Sequence, residues 1–113
     1  MQTIDDRITI FELKEMSSTM FGNLVKAVVD IDKEILVVDA ELHSDQEAYL
    51  LSHGSKQENL WGINIYPELE GEERIEFDSM INLRPSQNNY SRGVDNLEIQ
   101  QKIIKIVKSK IQD

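Results

Sequence analysis

Cysteine is absent from this chain, so disulfides, thiolate metal sites and a thiol nucleophile are all excluded. Proline occurs twice and glycine five times, at positions 22, 54, 62, 71 and 93. None of these glycines stands in a GxxxxGK[ST], GxGxxG or GxSxG pattern, so the sequence carries no phosphate-cradling loop, dinucleotide fingerprint or nucleophile elbow. No cofactor is therefore expected. No apolar run approaches the roughly 20 residues that a membrane span requires. The opening MQTIDDRITIF carries acids where a secretory signal would carry basic residues, which gives the expectation of a cytoplasmic protein without a membrane partner.

Basic residues are also scarce, 12 against 21 acidic ones, for a net charge of −9. Such a body repels nucleic acid at long range, so nucleic acid is not an expected partner. The imbalance is uneven: residues 1–78 hold 6 basic and 18 acidic side chains, or −12, and residues 79–113 hold 6 and 3, or +3. Lys102, Lys105, Lys108 and Lys110 read as the solvated face of a terminal helix, complementing its dipole. What remains of the positive excess is Arg84 and Arg92.

At 113 residues the chain reads as a single globular domain, 1–113, large enough for one hydrophobic core. Three capping boxes mark helix starts, at Thr9–Glu12, Ser44–Glu47 and Asp95–Glu98. The first helix carries Leu13, Met16 and Met20 along one face and stops before Gly22. Leu24–His43 has strand periodicity around an Asp32-Lys33 turn, with Leu36, Val38, Ala40 and Leu42 facing inward. His53 falls in the last turn of the second helix, where it can bind terminal carbonyls.

Leu60–Tyr66 is a third strand with Trp61, Ile63 and Ile65 in the core, and Arg74–Arg84 a fourth with clean alternation up to Pro85. The last helix shows a broad apolar face made by Leu97, Ile103, Ile104, Val107 and Ile111. The order αββαββα predicts an α+β fold, a four-stranded, mostly antiparallel sheet with its helices packed on one face.

Two constellations could carry chemistry. The first is the polar loop SQNNYSRG with Arg84, where Arg84, Ser86, Asn88, Ser91 and Arg92 offer anion donors and no acid intervenes between Ser79 and Val94. Both guanidinium groups could converge near the start of the last helix. Alternatively, each arginine pairs with an acid elsewhere or caps helix carbonyls. The second is the outward sheet face, where Asp39, Glu41 and His43 on one strand lie near Asn64 and Asp78 on others. Glu41, His43 and Asp78 could share a divalent ion for hydrolysis, because i and i+2 on a strand lie about 7 Å apart on one side. No HExxH element accompanies them.

The segments GSKQENLWGINIYPE, FDSMINLRPSQNN and SRGV resemble the central motifs of a family of short bacterial and archaeal proteins catalogued only as a domain of unknown function. The preceding FGNLVKAVVDIDKEILVVDAELHSDQEAYLLSHG is similar to the same family's N-terminal half. The resemblance covers nearly the whole chain. It implies a small cytosolic prokaryotic protein and brings no activity, cofactor or catalytic residue with it.

From the residues themselves, the leading expectation is a non-enzymatic binding module whose loop recognises an anionic small molecule, or a phosphate or carboxylate on a protein partner. The alternatives are a divalent-metal-dependent hydrolase at Glu41, His43 and Asp78, and an accessory subunit docking through its C-terminal helix. The wide apolar face of that helix also leaves room for a homodimer.

Overall fold

Alternation of side chains along the strands decides the layering of this molecule. The computed structural model describes residues 1–113 and places Gln2–Ile4 (β1), Val25–Asp30 (β3), Ile35–Val38 (β4), Leu60–Ile65 (β5) and Ile75–Glu76 (β6) in one antiparallel sheet. The strand order is β1-β4-β3-β5-β6. Ile8–Thr9 (β2) and Ile111–Gln112 (β7) form a separate two-stranded parallel pair that ties the two ends of the chain together. The helices are Ile10–Thr19 (α1), His43–Ser52 (α2) and Leu97–Lys110 (α3). None is long and apolar enough to cross a membrane.

The spine is the pairing of β3 with β5, six residues in register from Val25↔Ile65 to Asp30↔Leu60. Both strands are buried nearly throughout, so each face must be covered. Val25, Ala27, Val29, Leu36, Val38, Trp61, Ile63 and Ile65 share one face and pack against Leu13 of α1 and Ile103, Ile104, Ile106 and Val107 of α3. The opposite face presents Val28, Val37 and Leu60 to Leu50 of α2. The expectation of helices on a single face is therefore corrected. A sheet whose central strands are apolar on both sides cannot leave one side wet.

The α+β class and the antiparallel sheet stand, and the sheet has five strands rather than four. The added strand is β1, a three-residue edge too short to register as a periodic pattern.

Two helix starts form as their side chains dictate, and one does not. Thr9 Oγ1 accepts the N–H of Glu12 at 3.1 Å, closing the first cap. At α3 the cap is Asn96, not Asp95: its Oδ1 accepts the N–H of Glu98 at 2.8 Å and of Ile99 at 3.2 Å. The Ser44 capping box is absent, because α2 begins one residue before it, at His43, with Leu42 at the cap position and no side-chain acceptor. His53 closes the other end of α2, its Nδ1–H donating to Tyr49 O at 2.8 Å.

The turn between β3 and β4 spans Ile31–Glu34 instead of two residues. Buried Asp30 organises it by accepting the N–H groups of Asp32 and Lys33 and the hydroxyl of Ser55. Glu34 takes the left-handed φ of 55° that the turn requires.

The long fourth strand is also corrected. After Ile75–Glu76 the chain leaves the ladder, and Asn82 takes the place of a strand neighbour. Its Oδ1 accepts Gly62 N–H at 2.8 Å and its Nδ2 donates to Gly62 O at 2.9 Å. The segment passes so close that a Cβ on Gly62 would lie 2.5 Å from Ser79 Cβ. Across 74–84 only Ile75–Glu76 pairs as a strand and Met80–Asn82 coils into a 3-10 turn, so the period-2 alternation there does not record one long strand.

Candidate functional site

The two arginines of the polar loop do not meet. Arg84 is buried against the short turn Gln57–Asn59 that leads into β5. Its Nη1 donates to Gln57 O, its Nη2 to Leu60 O at 2.6 Å, and its guanidinium lies 4.2 Å above the Trp61 ring. Burial lowers its affinity for a proton from the arginine norm. It caps carbonyls through both terminal nitrogens and covers the core tryptophan, while its buried Nε makes no hydrogen bond.

The rest of the loop is likewise tied down from within. Ser91 donates its hydroxyl to Asp95 Oδ1, and Asp95 Oδ2 accepts the Tyr90 N–H, which together hold that carboxyl below its usual range. Asn89, 2 % exposed, donates through Nδ2 to Asn82 O and Gly93 O and accepts the Asp95 N–H. Ser86 and Asn88 are exposed, with Asn88 in the left-handed region at φ 59° as the end of the Pro85–Gln87 turn.

Arg92 lies elsewhere, on the α2 side of the sheet. Its Nε donates to Asp78 Oδ1 at 2.8 Å, and neither of its terminal amino groups makes a hydrogen bond within the chain. Here the structure joins one member of the first constellation, Arg92, to three members of the second, His43, Asn64 and Asp78. Arg92, Asp78 and His43 line a single cleft of about 340 Å³ between the start of α2 and the sheet. Its floor is the cross-strand pair Lys26 and Asn64. Leu42, Met80 and Ile81 supply apolar walls.

Glu41 is not part of this cleft, and the proposed metal trio is corrected. Strand β4 ends at Val38, Asp39 turns the chain at φ 64°, and so Glu41 and His43 never share a strand face. Glu41 is exposed, His43 donates Nε2–H to Ile63 O at 2.8 Å, and Asp78 is paired with Arg92. No group of three His, Asp or Glu side chains lies close enough to hold a metal ion. Asp39 faces a different depression, beside Gln2 and Glu12.

The cleft concentrates hydrogen-bond donors. With Leu42 as the cap residue, the N–H groups of His43 and Ser44 find no acceptor in the chain, leaving the positive end of the α2 dipole uncapped. Lys26 and Arg92 add two cations to one carboxylate, Asp78. His43 is neutral in the physiological range, its pKa lowered chiefly by burial, with Lys26 and Arg92 adding to the effect and the Ile63 carbonyl and Asp78 opposing it. Asn64, 7 % exposed, donates to Glu76 Oε1 at 2.9 Å and leaves its own Oδ1 without a partner.

The sequence named His43, Asn64, Asp78 and Arg92 but missed Lys26 and, as a cleft residue, Ser44. Lys26 was legible as the one cation inside a Val-rich strand. Ser44 was assigned to a cap it does not make.

The apolar face of α3 is consumed in the core, where Ile103, Ile104 and Val107 are buried. Leu97, 71 % exposed, is left alone among Glu98, Gln101 and two lysines.

Fold and cleft together define a small α+β domain with a donor-rich polar cleft on the single-helix face of its sheet. The chain belongs to the family described as Protein of unknown function (DUF5674), whose model matches residues 2–110. Comparison with curated proteins and with solved structures returns no match.

Proposed function

We propose that this protein is a small cytoplasmic binding module that captures an organic anion in the cleft between α2 and the sheet. The uncapped start of α2, flanked by Lys26 and Arg92, is the observation that carries this reading. A helix N-terminus presents unsatisfied N–H groups and a partial positive charge, and an anion answers both. The two cations supply charge-assisted bonds, and the apolar walls supply contact area for an organic part. A cleft of about 340 Å³ suits a metabolite-sized ligand, at the lower end of the roughly 300–1,000 Å³ usual for such sites. On a body of net charge −9, a local excess of one positive charge also selects against bulk polyanions such as nucleic acid.

This moves the anion site from the Arg84–Arg92 loop to one end of it: Arg92 is retained, Lys26 replaces Arg84. Calorimetric titration with inorganic phosphate and a panel of phosphorylated and carboxylated metabolites tests it. Lys26→Ala/Arg92→Ala is expected to weaken binding on the order of 100-fold, at about 1.5 kcal/mol for each charge-assisted bond. Indistinguishable titrations of the double variant and the wild type would overturn the proposal.

A further inference from the structure

We infer that the anion taken by this cleft carries its own hydrogen-bond donor, a hydroxyl or amino group, accepted by Nδ1 of His43. The inference rests on the anion-binding reading and narrows its ligand to a hydroxylated or aminated organic anion.

His43 is 9 % exposed and lines the cleft. Its Nε2 sits 2.8 Å from Ile63 O. A carbonyl oxygen can only accept, so the ring proton is on Nε2 and, in the neutral ring, Nδ1 presents a lone pair. Nδ1 makes no hydrogen bond within the chain, nor is it among the sealed, unpartnered atoms of the interior. It therefore keeps access to the cleft. The β5 backbone fixes the tautomer, and the first turn of α2 fixes the ring.

The charged groups around the ring maintain this state. Burial most of all disfavours an imidazolium, Lys26 from β3 and Arg92 from the loop add to it, and the Ile63 carbonyl and Asp78 oppose it without reversing it. The groups that attract an anion thus also keep His43 an acceptor. A ligand made only of acceptors would leave Nδ1 facing other lone pairs; one with a donor beside its anionic group would satisfy both ends of the cleft.

Matched anions test this. Ethanesulfonate and 2-hydroxyethanesulfonate remain fully ionised across the accessible pH range and differ by one hydroxyl; propyl phosphate and glycerol phosphate repeat the comparison with a phosphate head. At pH 8 the hydroxylated member is expected to bind several-fold tighter, on the order of 5-fold for one neutral hydrogen bond. As pH falls through the His43 pKa, the imidazolium becomes a donor. The preference should then shrink toward unity while ethanesulfonate itself binds more tightly.

His43→Gln keeps a donor for Ile63 O and an acceptor in its Oε1 but cannot gain a proton, so its preference for the hydroxylated sulfonate should persist as pH falls; His43→Leu removes the acceptor, and within that variant the two sulfonates should bind alike. The ¹⁵N resonance of His43 Nδ1 in the wild-type protein gives a readout independent of any variant. It should report an unprotonated nitrogen and shift with hydroxyethanesulfonate far more than with ethanesulfonate. Equal binding of both members of each pair at pH 8, or a protonated Nδ1 at that pH, overturns the inference and leaves the anion reading standing. No binding of any of the four anions overturns the anion reading itself. A preference confined to the phosphate pair supports the inference and assigns the head group.

Discussion

Replacing Asn82 should unfold a large part of this protein's stability margin, and in a pH-dependent way. Asn82 is fully buried and makes both of Gly62's outward backbone bonds, besides donating to Arg92 O at 2.9 Å. In Asn82→Ala, three hydrogen bonds at about 1 kcal/mol each are lost, and the buried Gly62 N–H is left unsatisfied at a further cost of about 1 kcal/mol or more. The sum, roughly 4 kcal/mol, is a large share of the 5–15 kcal/mol typical of a domain. Urea melts followed by circular dichroism would read this as a lower midpoint.

Asn82→Asp separates the hydrogen-bond account from simple loss of volume. Aspartate matches the shape and still accepts from Gly62 N–H, but its ionised form sets a buried charge against Gly62 O and Arg92 O. Burial raises the folded-state pKa above the unfolded value of about 3.9. The folded state then binds more protons than the unfolded one between those values, so stability falls as pH rises through the folded pKa and is recovered on acidification. The Asp variant should approach wild-type stability near pH 4 and resemble the Ala variant at pH 8. A constant Asp-versus-wild-type difference across that range would refute the reasoning.

Gly62→Ala should destabilise by about 1–3 kcal/mol in the same melts, since its Cβ would collide with Ser79 and the segment would have to move. Thr9→Ala and Asn96→Ala should each cost about 1 kcal/mol as lost helix caps, while Ser44→Ala should be near neutral. Arg84→Met should lower the thermal midpoint through its carbonyl bonds and tryptophan contact, yet leave phosphate titrations unchanged; a loss of affinity equal to that of Arg92→Ala would restore Arg84 to the site. Because the folded-state pKa of His43 lies below 6.5, the unfolded chain binds the extra proton first, so wild-type stability should fall as pH drops below about 6.5 and His43→Gln should lack that component of the slope.

The sequence by itself determined the elements that local chemistry closes. Thr9 caps α1, His53 closes α2, and Trp61, Ile63 and Ile65 enter the core because their own strand alternates. It determined the α+β class and antiparallel pairing for the same reason: short Val- and Ile-rich runs joined by turns leave few other solutions.

Tertiary structure alone decided what depended on distant partners. The face on which α2 packs follows from the second apolar side of β3 and β5, which becomes visible only when the strands are paired. The 77–83 segment looked like a strand because its sequence alternates; that Met80–Asn82 instead coils into a tight turn and sets the Asn82 side chain on Gly62 depends on hydrogen bonds of 2.8 and 2.9 Å across 20 residues of sequence. The loop arginines looked equivalent because charge patterning records no destination. Arg84 found two carbonyls and an aromatic ring, and Arg92 found Asp78 and the cleft. Lys26 joined it there because register, set by the β3–β5 ladder, puts it opposite Asn64 beneath the start of α2.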